Sequence, residues 1–353
     1  MRMNHIVAGM IMVMVGHVQA EDSVALMHRV NNYQIAHPKM KSGDRNWERG
    51  TWYTGVMAAY KATGDQLFLD QCLKWGEQHQ WAVGTEKQGA NRLFCVETWA
   101  ELSLLKKDLA MIAPALKQLN TPSFNSPVGP TGVWYLEGLR RYADSLYGAC
   151  TLAMLSKATG DQKYTGYMHA FFWDVHNELF DRDDHLFYRD NRFVEQRTKN
   201  NKKIFWSRGN GWVMGGIVRV LEYLPESDPQ RGRYIELLRQ MSEAIAKNQR
   251  ADGLWSPNLG DAEEPNSPET SGTAFFCYAM AWGINHGVLD RKIYLPVVDK
   301  AWDALVKSVT PEGRIQWGQL VGDRPVALGK DDTHEYVTGT FLLAASEVYT
   351  LRK

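Results

Sequence analysis

The stretch Trp52-Tyr-Thr-Gly-Val-Met-Ala-Ala-Tyr-Lys-Ala-Thr-Gly-Asp65 is echoed by Ser145-Leu-Tyr-Gly-Ala-Cys-Thr-Leu-Ala-Met-Leu-Ser-Lys-Ala-Thr-Gly-Asp161. Each carries small and apolar residues at helical spacing and ends in Lys-Ala-Thr-Gly-Asp. The glycine stops a helix, because it takes the left-handed cap without a Cβ penalty, and the aspartate can cap the next one. An amphipathic helix follows each, over 68–79 and 164–177. The pair recurs over 212–224 with 231–247 and over 273–286 with 293–309, and a small-residue helix over 339–351 closes the chain. Recurring helix pairs mean stacked hairpins, either an open solenoid or a closed toroid. The inner helices are apolar and rich in Gly, Ala and Ser, so they pack closely, and polar loops with Trp, Asp and Arg lie at one end of each. That favours a closed α/α toroid with a pocket at one mouth. The expectation is one domain over 21–353 with roughly a dozen helices and no real linker.

Composition narrows the function. The chain has 353 residues, 44% hydrophobic and 23% charged, with 40 basic and 40 acidic side chains. That balance implies no basic face for nucleic acid, and no run of like charge appears. The 13 Trp and 15 Tyr without net charge suit a carbohydrate binder. The first twenty residues have the layout of a secretory signal: Arg2, an apolar core over Ile6 to Val15, and a small-residue cleavage site at Val18-Gln-Ala20. The apolar run is too short to anchor permanently in a bilayer, so an exported protein without a membrane partner is expected, periplasmic or secreted. Cys72, Cys95, Cys150 and Cys277 each sit in an apolar helical pattern without paired spacing, as buried free thiols do.

The segment Ile204-Phe-Trp-Ser-Arg-Gly-Asn-Gly-Trp212 packs aromatics, one guanidinium and two glycines together. A guanidinium can fork onto a carboxylate, and indoles can cover a pyranose face. The segment reads as a loop feeding a helix, with glycines that let the chain turn and a ligand approach. Its structural alternative is an aromatic corner with Arg208 paired to a carboxylate.

With these stretches in hand, the chain resembles glycoside hydrolase family 105, the unsaturated rhamnogalacturonyl and glucuronyl hydrolases, and more distantly family 88. Carrying the resemblance are Phe205-Trp-Ser-Arg-Gly-Asn-Gly-Trp212, Ala143-Asp-Ser-Leu-Tyr147, Asp252-Gly-Leu-Trp255, Glu269-Thr-Ser-Gly-Thr-Ala-Phe275 and Gly339-Thr-Phe-Leu-Leu-Ala-Ala-Ser-Glu-Val-Tyr349. The resemblance implies an (α/α)6 barrel that removes a terminal 4,5-unsaturated uronic acid from oligosaccharides left by polysaccharide lyases. Ordinary glycosidases use two flanking carboxylates. Here an acid protonates C4, positive charge develops at C5, water adds there, and the hemiketal opens to release the aglycone. One carboxyl group can be acid and then base, provided its site keeps it neutral at first. Asp144 aligns with that acid.

Two positions depart from the family's pattern. Asn91, in Ala90-Asn-Arg-Leu-Phe-Cys-Val-Glu-Thr-Trp99, stands where the family often has a second catalytic Asp; it can hold a hydroxyl or a water but brings no charge. Arg189, in Leu186-Phe-Tyr-Arg189, stands where many members have His, and can bind a sulfate or a second uronate. Trp47 matches an aromatic position lining the pocket, and Trp206, Arg208 and Trp212 would frame the uronate. His334 lies just before the last inner helix at the same mouth; Glu48, Tyr135 and Tyr336 complete the expected sugar-binding set. No further His is spaced to join His334 and Asp331, so neither a metal nor a cofactor is expected. The partner expected is the oligosaccharide alone, bound by a monomer or homodimer. Two alternatives stay open: hydrolysis of a saturated glucuronide, which would ask Glu48 or Glu97 to act as a second carboxylate, and a sugar-binding barrel without activity.

Overall fold

The computed structural model describes residues 23–40, 44–86, 89–120 and 141–353. The expected leader and Tyr135 lie outside the described residues. In chain order the α-helices are α1 (23–36), α2 (Trp47–Thr63), α3 (Gln66–Gln78), a single turn α4 (Gly89–Arg92), α5 (Phe94–Lys106), α6 (Ala113–Leu119), α7 (Ala149–Thr159), α8 (Lys163–Leu179), α9 (Ser207–Tyr223), α10 (Arg231–Lys247), α11 (Thr270–Asn285), α12 (Arg291–Lys307) and α13 (Glu335–Arg352). A short hairpin of β1 (Phe180–Asp181) and β2 (Leu186–Phe187) follows α8.

Helices α2, α5, α7, α9, α11 and α13 each pack on the next, and α13 packs back on α2. The toroid is therefore closed. Helices α3, α8, α10 and α12 lie outside on α2, α7, α9 and α11. Helix α1 bridges the seam from outside: Asn31 accepts from Trp52 Nε1 of α2 at 2.9 Å, and Gln34 from Thr338 Oγ1 of α13 at 3.1 Å. Inner helices are buried on every side, as α9 and α11 show, whereas α10 buries one stripe. Two shells of helix produce that difference.

The echoed Lys-Ala-Thr-Gly-Asp folds the same way twice. Gly64 and Gly160 both have φ of 75° and donate to Tyr60 O at 2.7 Å and Ser156 O at 2.8 Å. Asp65 then accepts from Leu67 N at 3.0 Å, and Asp161 from Lys163 N at 3.1 Å. The seam is closed by backbone contact and by charge. A Cβ on Gly339 would meet Thr51 O at 2.1 Å. Beside it, Arg49 of α2 grips Glu335 of α13 with Nε to Oε2 at 2.8 Å and Nη2 to Oε1 at 2.7 Å, both buried.

Helices α9, α11 and α13 begin earlier than the sequence pattern suggests, whereas α7 begins later, at Ala149. Helix α9 starts at Ser207, so Arg208 to Gly211 form its first turns rather than a loop. The two glycines serve close packing instead: a Cβ on Gly211 would meet Phe275 at 3.1 Å. All four cysteines are buried and free, as expected.

Candidate active site

The first turns of α2, α5 and α9 converge at one mouth, bringing Trp47, Phe94 and Arg208 together. Trp47, Asn91, Asp144, Arg189, Arg208 and Trp212, all expected from sequence, line one cavity of about 140 Å³. Phe94, Tyr142, Val321 and Gly322 complete it. Phe94 and Tyr142 were not in the expected set, although Phe94 lies three residues after Asn91 and Tyr142 two before Asp144. Val321 and Gly322 lie in Trp317-Gly-Gln-Leu-Val-Gly-Asp-Arg-Pro325, between α12 and α13, and no local pattern marks that loop. The aromatic wall is continuous: the Trp212 ring lies 5.8 Å from those of Trp47 and Phe94 and 5.0 Å from Tyr147.

Asp144 sits on a 3-10 turn, Ala143–Leu146, just before α7, rather than in the helix itself. Tyr142 N-caps that turn, so Asp144 is not a capping residue. The turn is held by Ala143 N donating to Arg189 O at 2.8 Å. Arg189 returns from the other side, with Nε donating to Asp144 Oδ2 at 3.0 Å and Nη1 to Asp190 Oδ2 at 2.6 Å. Its guanidinium lies 5.1 Å from the Tyr142 ring centre. Burial pushes the Asp144 carboxyl above the usual carboxylate range, with Arg189 and then Arg208 opposing it. Asn91 hydrogen-bonds the Glu86 carboxylate, itself raised by burial. The neutral amide thus has a partner that an aspartate at this position would repel.

Arg208 reaches the cavity, but not as a free fork. Its Nη1 donates to Tyr336 Oη at 2.6 Å, Leu320 O at 2.9 Å and Gln319 O at 3.2 Å, and its Nη2 to Gly322 O at 2.8 Å. The guanidinium also lies 4.4 Å from the Trp206 ring centre. Arg208 therefore pins the 317–325 loop over the mouth. Trp206 corrects the sequence reading: it is 1% exposed, its Nε1 donates to Gln319 Oε1 at 2.8 Å, and it supports that loop from beneath rather than facing the cavity. Tyr336 is likewise buried below the wall, 5.2 Å from the Trp47 ring and 5.8 Å from Trp212.

Glu48 and His334 are also off the cavity wall. Glu48 is buried in the first turn of α2, and burial, reinforced by Glu86, Asp44 and Glu335, pushes its carboxyl up to about 7. His334 N-caps α13, its Nδ1 accepting from Glu335 N at 3.0 Å, and burial lowers its imidazole to about 4. Glu97 lies inside the barrel, bonded by Arg219 Nε at 3.0 Å. Asp144 is thus the one carboxylate on the cavity wall among the described residues.

Known proteins share this architecture. The Glycosyl Hydrolase Family 88 model matches residues 23–352. An "Unsaturated 3S-rhamnoglycuronyl hydrolase" of Alteromonas sp. (strain LOR) is 40% identical over 357 residues, covering 96% of this chain and 86% of the relative. A solved glycosyl hydrolase family 88 protein from Bacteroides vulgatus superposes with a TM-score of 0.84 at 29% identity, covering 94% of this chain and 99% of the other. A solved chain described as a polysaccharide lyase superposes with a TM-score of 0.83 at 31% identity, covering 94% and 97%. With a family match over nearly its whole length and the closed double ring of helices that its relatives share, the chain belongs to Glycosyl Hydrolase Family 88.

Proposed function

We propose that this enzyme removes a terminal unsaturated uronate from an oligosaccharide, with Asp144 as its proton donor and acceptor, and that the next sugar is a rhamnose. A lone carboxyl group, raised by burial in a cavity walled by Trp47, Phe94 and Trp212, carries the reading. The Alteromonas relative's name supports the substrate class. Asp144 Oδ2 is tied to Arg189, which leaves Oδ1 to bear the proton. Oδ1–H protonates C4 of the C4=C5 bond, and the cation at C5 is shared with the ring oxygen. Water adds at C5 and returns a proton to the Asp144 carboxylate. The resulting hemiketal opens and the aglycone departs, for a net consumption of one water. One group working twice needs no second carboxylate, whereas hydrolysis of a saturated glycoside does. Neither Glu48 nor Glu97 lines the cavity to supply one.

Export rests on the leader pattern of residues 1–20 and on the family match that begins after it, at residue 23. Amino-terminal sequencing of protein recovered outside the cytoplasm, starting near Glu21, is the expected result.

Absorbance of the conjugated double bond tests the reaction. On lyase-generated rhamnose-containing oligosaccharides the protein should erase it. A rise in absorbance on intact polysaccharide would instead make the protein a lyase, and an unchanged signal on both would end the proposal.

A further inference from the structure

Two guanidinium groups line the cavity, and the structure distinguishes them by their spare hydrogens. Arg208 is 1% exposed, its Nη1 and Nη2 already serve three carbonyls and one phenol, and its Nε, which has no partner, is itself buried out of a ligand's reach. Arg189 has Nε on Asp144 and Nη1 on Asp190, while its Nη2 makes no hydrogen bond among the described residues. Asp190 is itself buried and held by Arg192 from its backbone N, Nε and Nη2. The anchor is therefore rigid, and Arg189 stands over the Tyr142 ring already ordered, with little side-chain freedom left to lose on binding.

We propose that Arg189, rather than Arg208, receives the anionic group of the substrate, and that through the bond it shares with Asp144 it ties occupancy of that subsite to the acid. This rests on the function proposed above. The group is an oxyanion, either the carboxylate of the unsaturated uronate or a sulfate ester on the neighbouring sugar. Both match a planar nitrogen donor that still carries charge.

The coupling follows from which charges face Asp144. Arg189 and Arg208 favour its ionised form, burial opposes it, and the Tyr142 hydroxyl and neutral Asn91 stand beside it on the wall. An anion on Arg189 offsets part of the positive charge that favours carboxylate. Asp144 then holds its proton to higher pH when substrate is bound than when the site is empty. The acid is thus readied by the ligand that needs it, a role that a second carboxylate at position 91 would otherwise perform.

The test compares wild type, Arg189→Gln and Arg189→Lys on three forms of one lyase-generated oligosaccharide: unmodified, desulfated, and methyl-esterified on the uronate. Wild type that erases the double bond validates the function, whatever the two variants do. Arg189→Gln should then raise KM about tenfold or more on the unmodified form, as expected for a lost hydrogen bond to a charged group. On whichever form lacks the bound group, wild type and variant should have equal KM; equality on the esterified form names the carboxylate, and on the desulfated form the sulfate. The Arg189→Gln basic limb should move to higher pH. In wild type, the limb of kcat should lie above that of kcat/KM, a comparison that needs no variant to fold. Arg189→Lys, keeping the charge without the fork, should raise KM and leave the limb near its place. A KM penalty equal on all three forms, or coincident limbs for kcat and kcat/KM in wild type, overturns the proposal.

Discussion

Arg189 Nε and Asp144 Oδ2 are 3.0 Å apart, so the proposed acid of this enzyme is bonded directly to a cation. A cation in contact ordinarily keeps a carboxyl ionised. Here burial outweighs it, and the net displacement of Asp144 is upward. The site holds an acid between two opposed forces rather than beside a second carboxylate.

Replacing Asp144 by Asn should remove activity and spare the fold. The amide oxygen can still accept from Arg189, but no proton can pass to C4. General acid–base catalysis contributes about two to four decades of rate. Turnover by absorbance and a thermal melt on the same sample check both halves. Retention of a tenth of wild-type turnover would remove Asp144 from the mechanism.

Asn91→Asp should move the basic limb of the rate profile upward. Activity falls as pH rises through the pKa of the acid, and a new carboxylate on the cavity wall raises that pKa. Because Asn91 bonds Glu86, the change is best made together with Glu86→Gln, so that no carboxylate pair forms. The acid and the new group titrate as a coupled pair, so the shift of the limb is the quantity to read. A folded, active variant with an unmoved limb would separate position 91 from the acid.

Arg208→Lys should cost stability as well as affinity. An ammonium cannot reach the carbonyls of Gln319, Leu320 and Gly322 together with the Tyr336 hydroxyl. We expect a loss of about 2 kcal/mol or more, the scale of buried bonds to a charged group, together with a raised KM as the 317–325 loop loosens. Urea denaturation and steady-state kinetics measure the two. An unchanged midpoint with only KM raised would mean that the loop does not depend on Arg208.

Alanine at two glycines should have opposite signs. Gly339→Ala drives a Cβ to within 2.1 Å of Thr51 O at the barrel seam; overpacking of this kind costs about 1–3 kcal/mol. Gly232→Ala on α10 meets nothing within 4 Å and should stabilise by up to about 1 kcal/mol through helix propensity. Melts of both variants are sufficient. Equal effects at the two positions would contradict the close approach of α2 and α13.

The helix pairs and much of the site were legible in the chain alone. Lys-Ala-Thr-Gly-Asp carries its own cap and stop, and Gly64 and Gly160 take the same conformation with the same backbone bond four residues back. Asp144, Asn91, Trp47, Arg189, Arg208 and Trp212 could be read because short stretches around them are distinctive, and they do meet in one cavity. Which of them has a free hand was settled by packing. Trp206 and Arg208 were read as facing a sugar, yet Trp206 lies off the cavity wall and the terminal nitrogens of Arg208, which does line it, hold a loop more than a hundred residues away in sequence. Val321 and Gly322 reach the cavity because closure of the ring brings the α12–α13 connection over α9, and no local pattern encodes that. Glu48 and His334 carry chemistry-bearing groups at the right mouth, but Glu48 is buried in the first turn of α2 and His334 is occupied in capping α13, both off the cavity wall. Local sequence sets backbone conformation through caps and propensity; hydrogen-bond saturation depends on which distant carbonyls arrive, and that is a property of the assembled barrel.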